Sequence, residues 1–584
     1  MDSKRKNRTN YILYSFKFLF ILSFVYFLWW GDYILLFQED QSLFVLSYES
    51  VKEYFIRSGG PLELINNFLT QFYIYPVAGS LIISISLILT GIVFLKITRK
   101  LGYEGPFTLF LVLIPPVLLL LMQTHYYHKL EYTLGILALL LYFLLVLYKN
   151  HLTVLIFFPL FYYLTGFYAW IFLLMTIVYF IIFGKGQSLF YTFGLMVVMT
   201  GISFLIFYFY LLPQPAGKFF MDSLPLVKDP GHYNIFYLLT GYIILYSFVV
   251  KISGSARVKN KLSGILQVVS LLFIFGLTFI FLAKLHNPRA RHVFQIQKYV
   301  YENRWDDAIE LQEKVYSKNQ IGQYFYNIAL AEDGKLCDRL FFGGQDFGVN
   351  AILLPMSREH LERGGYFYYT VGLINEAHRW AYETMVVYGH RPQNIKMLVK
   401  TNLINGNYRM AEKYLNILER SITYKGWAQE YKKMLYDSEK VKAHAELGPK
   451  LKLLPQGDFF IKIGMPQENI NLLLDSNPGK PIFEYKMCEY MLMKNVEAVV
   501  NNIDKFNTLG YDKIPRHIEE VLLVYYNTTG KFPEMYGFEI SDETKARFNQ
   551  YVDYMRQGRA NMKATQKKLN EKFGNTFWYY LNFK

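Results

Sequence analysis

Hydrophobic positions fall into two patterns, which divide the chain near residue 285. Before that point long apolar runs follow one another, each of the length that crosses a bilayer as a helix. Beyond it, apolar residues recur with the period of an amphipathic α-helix, without the alternation typical of strands. The sequence therefore predicts an all-α protein, with a polytopic membrane domain over residues 1–284 and a soluble helical domain over residues 285–584.

The apolar runs predict about nine membrane spans. Seven are single runs, over residues 11–30, 77–97, 107–122, 133–148, 189–212, 235–250 and 265–283. The stretch 152–183 is predicted to be a tight hairpin of two spans that turns near Gly166. The hairpin is preferred to one long span because it keeps Lys149 and Lys185 on the same side as a later basic cluster, as the positive-inside rule requires. That cluster comprises Arg257, Lys259 and Lys261.

The N-terminus is predicted to lie in the cytoplasm. It reads MDSKRKNR, and the apolar run after it ends without a small-residue cleavage site, so we expect an uncleaved first helix. Nine spans then place the soluble domain on the outer side of a bacterial cytoplasmic (inner) membrane, in the periplasm or another extracytoplasmic space. The outer connections are residues 31–76, residues 123–132, the turn near Gly166 and residues 213–234. Acidic residues recur in them, namely Glu39, Asp40, Glu131, Asp222 and Asp229.

Small residues recur in the soluble domain at the spacing of a helical repeat. Ala308, Ala377 and Ala411 each lie in a helical pattern, and they are 69 and 34 residues apart. The shorter spacing is the tetratricopeptide (TPR) period, and the longer is close to twice that period. Two helices of a hairpin approach closely only where side chains are small, so the pattern predicts a TPR-like superhelix. The stretches GGQDFGVN and GGYFYYTVG are predicted to be glycine breaks between helices.

Composition narrows the choice of partners. The formal net charge is +15, part of which belongs to cytoplasmic loops. The remainder favours membrane lipids with anionic headgroups, or an anionic glycan or phosphate substrate. No basic stripe accompanies a nucleic-acid-binding fold, so we expect no nucleic acid partner. Cys337 and Cys488 lack the neighbours of a zinc site, and the sequence leaves open whether they pair.

The first outer loop, residues 31–76, contains the main chemical signal. The sequence has no GxSxG, HExxH or Walker A motif and no GxGxxG after a strand, so chemistry would belong at the membrane boundary. There Glu39 and Asp40 form an acidic pair, which is costly to hold at a membrane surface unless a cationic or protic group meets it. The alternative is that the pair is a solvated loop start.

The candidate catalytic residues are Glu39, Asp40 and Glu131. A carboxylate here would act as general base toward an acceptor hydroxyl, or it would help to hold a divalent cation (Mg²⁺ or Mn²⁺) against a diphosphate leaving group. Glu39 and Asp40 are the candidate ligands of that cation. The candidate substrate-binding residues are His125, His128, Arg57, Arg289 and Arg291. An interfacial role for the histidines, and a position just after the last span for Arg289 and Arg291, are the alternatives.

Two segments of the first loop, FQEDQSLF and GGPLELINNFLTQFYIYP, resemble an uncharacterised family of bacterial polytopic proteins with a helical-repeat C-terminus. The order of parts also resembles the GT-C superfamily of glycosyltransferases, in particular membrane O-mannosyltransferases that contain TPR repeats. That resemblance implies that Glu39, with its neighbour Asp40, corresponds to the first-loop acidic motif and Glu131 to a second-loop acid. The second outer loop, residues 123–132, departs from the family pattern. Its one acidic residue is Glu131, which is accompanied by histidines and not by a second acid.

The resemblance implies transfer of a sugar or glycan from a polyprenyl-phosphate-linked donor to an acceptor outside the cytoplasmic membrane. The repeat domain would hold the acceptor, a protein or a glycan. The alternative is a non-enzymatic membrane scaffold whose TPR-like domain recruits partners for envelope assembly. A transporter is less well supported, because the spans show no clear internal repeat.

Overall fold

The structure, a computed structural model, describes residues 2–184, 187–211, 230–255, 260–357, 360–456, 466–476, 479–558 and 562–584. Within these ranges the protein is all-helical and contains no β-strand, as the hydrophobic pattern predicts. The predicted outer loop 213–234 with Asp222 and Asp229 lies mostly outside the described residues, as do Lys185, Arg257 and Lys259.

The chain forms two compact units. The first comprises Met1–Asn287 together with Arg420–Thr423, and the second comprises Pro288–Glu419 and Tyr424–Lys584. The helices of the first unit are α1 Asp2–Val25, α2 Asp32–Asp40, α3 Tyr48–Tyr54, α4 Gly60–Thr70, α5 Pro76–Lys100, α6 Thr108–Gln123, α7 Leu130–Tyr148, α8 His151–Ile156, α9 Phe158–Thr165, α10 Tyr168–Phe183, α11 Gln187–Leu205, α12 Pro230–Ile244, α13 Tyr246–Ser255 and α14 Asn260–Leu285. Short π-helical segments cover Tyr26–Trp30 and Ile206–Leu211, and a 3₁₀ turn covers Gln71–Ile74.

Five helical segments of the described chain are long and apolar enough to cross a membrane. They are Tyr11–Trp30, Pro76–Lys100, Leu130–Tyr148, Leu189–Phe209 and Gly264–Leu285. The pair Tyr233–Ile244 and Tyr246–Gly254 passes the same criterion together but bends by 61°, and it would make a sixth span. Thr108–Gln123 and Tyr168–Phe183 are apolar but shorter. The first unit therefore has the composition of a membrane domain.

The stretch expected to form the first arm of the hairpin is not one helix. It consists of α8 and α9, which have six and eight residues, fewer than the ~20 that cross a bilayer. Pro159 explains the break at Phe157, since proline has no N–H to donate to the carbonyl four residues back and is tolerated in the first turn of a helix, where it stands in α9. The turn before α10 falls at Gly166, whose φ of 60° suits glycine and whose N–H donates to the Tyr162 carbonyl over 2.7 Å.

Helix α5 is the centre of the first unit and packs against α1, α6 and α7. Small residues allow the close approach to α1. Ser23 donates to Ser84 Oγ over 2.9 Å in the buried contact, and a β-carbon at Gly91 would lie 2.5 Å from the Phe16 ring. Such small-residue seams are typical of helices that associate within membranes.

The second unit is a succession of short helices, most of which pack on their sequence neighbours. The helices are Pro288–Tyr301, Trp305–Lys314, Gln320–Glu332, Leu336–Arg339, Leu361–Thr370, Ile374–Tyr388, Pro392–Ile404, Tyr408–Glu419, Lys425–Lys432, Ser438–Ala443, Leu447–Lys452, Pro466–Ser476, Lys480–Leu492, Val496–Val500, Asp504–Thr508, Arg516–Thr529, Asp542–Gln557, Met562–Phe573 and Phe577–Phe583, with a 3₁₀ turn at Gly348–Ala351. Ala308, Ala377 and Ala411 are fully buried, as close helix contacts require.

The stretch GGYFYYTVG is a break only at its end, where Gly372, with a φ of 88°, lies between two helices. The prediction was wrong for its first two glycines. Gly364 and Gly365 lie inside the helix Leu361–Thr370, and the ring of Trp380 packs on them. A β-carbon at Gly364 would lie 2.2 Å from that ring. The glycines are there because the neighbouring helix places its largest side chain against the backbone.

The carboxylate of Glu446, 13% exposed, joins several helices of the second unit. It pairs with Lys400 Nζ at 2.6 Å, and it accepts hydrogen bonds from Tyr369 at 2.8 Å and from Asn303 at 3.1 Å. Burial by itself would raise the pKa of this carboxyl, but Lys400 and the hydrogen-bond donors outweigh burial and lower the pKa from 4.5 to about 2. The ion pair is therefore favourable in the folded state.

This pKa predicts acid sensitivity of the second unit. The folded pKa lies below the unfolded one, so the stabilisation is complete above pH 4.5 and is lost as the pH falls toward about 2. Glu446→Gln should lower the urea midpoint already at pH 7, because Lys400, which is 13% exposed, would lose its ion pair, at a cost of roughly 2 kcal/mol. Its midpoint should then change little between pH 5 and 3. The measurement is a set of urea titrations followed by circular dichroism, with Glu439→Gln at an exposed position as the control. The prediction is contradicted if both variants keep the wild-type acid transition.

Candidate functional site

The first-loop carboxylates lie at the C-terminal end of α2. This helix starts directly after Gly31, which ends the π-helical turn Tyr26–Trp30 of the first span. The side chains of Glu39 and Asp40 are 9% and 8% exposed. Two carboxylates kept from water by the protein are not a solvated loop start, so that alternative does not hold.

The second loop folds back onto α2. Gln38 donates through Nε2 to the backbone carbonyl of His128 over 2.8 Å, in a buried contact. The Phe37 ring meets the rings of Tyr126 and Tyr127 edge to face, with centroids 4.8 and 5.2 Å apart. The chain therefore holds the segment that precedes Glu131 against the helix that carries Glu39.

Two asparagines connect the first loop to the start of α7. Asn66 accepts from the Glu131 backbone N–H over 2.8 Å and donates to Asn67 Oδ1 over 2.9 Å. Asn67 in turn donates to the Tyr54 hydroxyl over 2.8 Å and accepts from Ser42, two residues beyond Asp40, at 3.4 Å. We call Asn66 and Asn67 the asparagine pair. It fixes the backbone at Glu131 relative to the end of α2.

The Glu131 carboxylate is itself buried, at 6% exposure, in the first turn of α7. The charged groups that act on it are Lys129, Glu63 and Arg57. Arg57 is exposed and forms an ion pair with Glu63 at the start of α4. A guanidinium has five N–H donors, so this pairing leaves others for an anion at the loop surface.

The two candidate histidines differ in their surroundings. His128 is 1% exposed and packs edge to face with Tyr132, so it belongs to the interior of the unit. His125 is half-buried, stacks on Tyr126 and accepts the Tyr127 backbone N–H at its Nδ1 over 3.3 Å. Of the two, only His125 has a surface that a substrate can reach.

The candidate arginines after the last span belong to the second unit. Arg289 and Arg291 lie in its first helix, Pro288–Tyr301. Arg289 is exposed and Arg291 is half-buried. The structure thus groups them with the helices of the second unit, and groups the other candidates with the first unit.

The carboxylate pair by itself offers a divalent cation few ligands. No group of three or more His, Cys, Asp or Glu side chains is placed to hold a metal ion anywhere in the described part of the chain. Glu39 and Asp40 are consecutive on a helix, so their side chains leave it in directions about 100° apart. A cation at this place would therefore take most of its ligands from water and substrate phosphates, as Mg²⁺ commonly does.

Several polar residues near the candidate carboxylates were not predicted from the sequence. Gln38, Asn66, Asn67, Gln71 and Tyr73 are all buried polar residues of the first loop. The adjacent amides Asn66 and Asn67, inside the amphipathic segment that forms α4, could have indicated such residues. An amide on a buried helix face needs hydrogen-bond partners. Gln71 Oε1, Gln38 Oε1 and the Tyr73 hydroxyl meet no hydrogen-bond partner within the described residues, and the turn Gln71–Ile74 packs on α2. The first loop therefore buries polar atoms without a protein partner in the described chain, as it buries the carboxylates.

Comparison with known proteins gives a family and no described activity. No curated protein and no solved structure matches the chain. The sequence model of one family, described as a family of unknown function (DUF6057), matches residues 8–584. With nearly its whole length matched, the chain belongs to the DUF6057 family.

Proposed function

We propose that this protein is a membrane glycosyltransferase of the GT-C type. It would transfer a sugar or glycan from a polyprenyl-phosphate-linked donor to a protein or glycan acceptor outside the cytoplasmic membrane. The observation that supports this most is the buried pair Glu39 and Asp40, held by Gln38 and the asparagine pair against the loop that leads to Glu131. Buried carboxylates next to unpaired amide and hydroxyl groups are typical of reactive sites.

The proposed topology keeps nine spans with a cytoplasmic N-terminus. The five long helices, the bent pair and the two shorter apolar helices would cross the membrane, and α8 with α9 would form the remaining, broken segment. Broken helices occur in membrane proteins where they are buried or line a cavity. The second unit would then be an extracytoplasmic, TPR-like domain. The buried alanines and the sequential packing of its helices support that assignment.

The reaction would run as a displacement at the anomeric carbon of the donor sugar. The acceptor oxygen forms a bond to that carbon while the bond to the donor phosphate oxygen breaks, and the phosphate leaves with the electron pair. The hydroxyl proton passes to the carboxylate of Glu39 or Asp40, acting as general base. Arg57 and His125 would bind the departing phosphate and the sugar. A divalent cation, when bound, supplies further neutralisation of phosphate charge.

Glu39→Gln tests the proposal directly. The amide is nearly isosteric with the carboxylate but cannot accept the proton, so transfer should fall by roughly 10²-fold or more. The measurement is the envelope glycan profile, by mass spectrometry, of a deletion strain complemented with the variant. Glu53→Gln, at an exposed position of the same loop, is the matched control and should restore the profile.

An unchanged profile with Glu39→Gln, at normal membrane levels, would remove Glu39 from the mechanism. If neither deletion of the gene nor the variant altered any glycan, the scaffold function would replace the enzyme. In that case affinity purification of the full chain should recover a stable protein complex.

A further inference from the structure

The second unit contains a cleft that the proposed transfer reaction does not use. Its volume is about 520 Å³, within the range typical of small-molecule sites. It lies between the segment that follows Leu336–Arg339 and the C-terminal helices. Tyr316, Phe342, Arg547, Lys572, Tyr579 and Lys584 are among its lining residues.

The lining is predominantly cationic. Arg547, Lys318, Lys572 and Lys584 face the cleft, and Glu571 is the acidic residue among the lining side chains. Lys584 is paired with Asp346, which also accepts from the Tyr316 hydroxyl. The cleft then has three positive charges, on Arg547, Lys318 and Lys572, against the one negative charge of Glu571. This excess of positive charge favours an anionic ligand.

Arg547 has hydrogen-bonding capacity that the protein does not use. One of its terminal nitrogens donates to Asn575 Oδ1 over 3.1 Å, but its buried Nε meets no acceptor within the described residues. Arg516 lies nearby and pairs through its Nε with Glu520 at 3.3 Å, while its buried Nη2 has no acceptor in the described residues. Burial, and the like charge of Arg516, lower the pKa of the Arg547 guanidinium. Glu520 offsets part of this positive charge, and the N–H groups left without an acceptor suit an additional anion.

Aromatic rings line the same cleft. Phe342 contacts two arginines, with the guanidinium carbons of Arg339 and Arg516 at 4.8 and 5.0 Å from its centroid. Tyr316 is 44% exposed at the opening, while Tyr579 is mostly buried in the wall. Planar rings beside charged donors suit a ligand with an apolar ring face and an acidic substituent.

We propose that this cleft binds a sugar that carries a carboxylate or a phosphate group. Arg547 binds the anionic group, Lys318 and Lys572 add charge at the cleft surface, and the tyrosine rings contact the sugar ring. The site does not depend on Glu39 or on the transferase reaction.

The test is ligand-observed NMR on the full-length protein in detergent, with three probes. Glucuronic acid carries a carboxylate, glucose 6-phosphate carries a phosphate, and glucose is neutral. We expect at least one charged probe to bind and glucose not to bind, and added salt should weaken the binding. The charged probe that binds more tightly identifies the anionic group.

Variants connect the binding to the cleft. Arg547→Gln should weaken binding of the charged probe by roughly tenfold, as expected for loss of a charge-assisted hydrogen bond. Lys318→Gln, at an exposed lining position that leaves the fold intact, should weaken it by a smaller factor. Lys567→Gln, exposed and outside the cleft lining, is the control. Equal binding of glucose, no binding of either acid, or unchanged affinity in both cleft variants would each overturn the proposal. Because Glu39→Gln leaves the cleft intact, failure of the transferase proposal would leave this result unaffected.

Discussion

Replacing Glu39 by Gln and Asp40 by Asn in one chain is expected to lower glycan transfer by roughly 10³-fold, within the range for loss of a positioned general base. Both carboxylates are buried at the end of α2, so bulk water does not replace either of them readily. The double variant removes proton acceptance and cation binding together. The measurement is transfer of labelled sugar from endogenous lipid-linked donors in isolated membranes.

The single variants separate the two chemical roles. A carboxylate that acts only as a cation ligand should be partly replaced by excess metal, because water and phosphates can complete the coordination. Its variant should recover activity as Mg²⁺ or Mn²⁺ is raised. The variant of the general base should stay inactive at every metal concentration. Wild-type activity in the double variant would contradict the assignment of the whole site.

Trp380→Ala is expected to have the largest effect on stability, lowering the free energy of unfolding of the second unit by about 3–5 kcal/mol. Trp380 is 2% exposed and fills the space over Gly364 and Gly365. Those glycines have no side chains that could move into the cavity. The unpaired Nε1 of Trp380 offsets a little of the loss, so Trp380→Phe should cost less.

The measurement is the urea midpoint of the full chain, followed by circular dichroism and by the proteolysis rate of the second unit. Tyr382→Ala, at a position 46% exposed on the same helix, is the matched control and should change stability little. Equal midpoints for the two alanine variants would contradict the packing described for Gly364.

The helical character of both units followed from hydrophobic periodicity, because that pattern depends on local spacing. The positions of the helices that are long and apolar enough to cross a membrane also followed, since these helices are continuous apolar runs in the sequence. The break at Phe157 was missed, although Pro159 signalled it, because apolar composition alone does not report backbone geometry. The prediction for Gly364 was wrong because glycine is required there by the ring of Trp380, which lies on another helix. A contact between two helices is not visible in the local sequence pattern.

The candidate site could be predicted as residue types and not as contacts. Glu39, Asp40 and Glu131 stand out as acids near apolar runs, yet their burial depends on tertiary packing. The asparagine pair and Gln38 were not singled out, because amides in a loop ordinarily face solvent. Their partners, the backbone at Glu131 and at His128, lie 65 and 90 residues away, beyond the reach of any local pattern.

The redox state of Cys337 and Cys488 depends on the compartment in which the second unit folds. Their sulfur atoms lie 3.9 Å apart, both thiols are buried, and burial raises the pKa of each. While the unit stays closed, oxidants do not reach them, but a chain that folds in an oxidising compartment can join them before closure, and one that folds in the cytosol stays reduced. Protein isolated with its thiols trapped at once would thus reveal on which side of the membrane this unit matured.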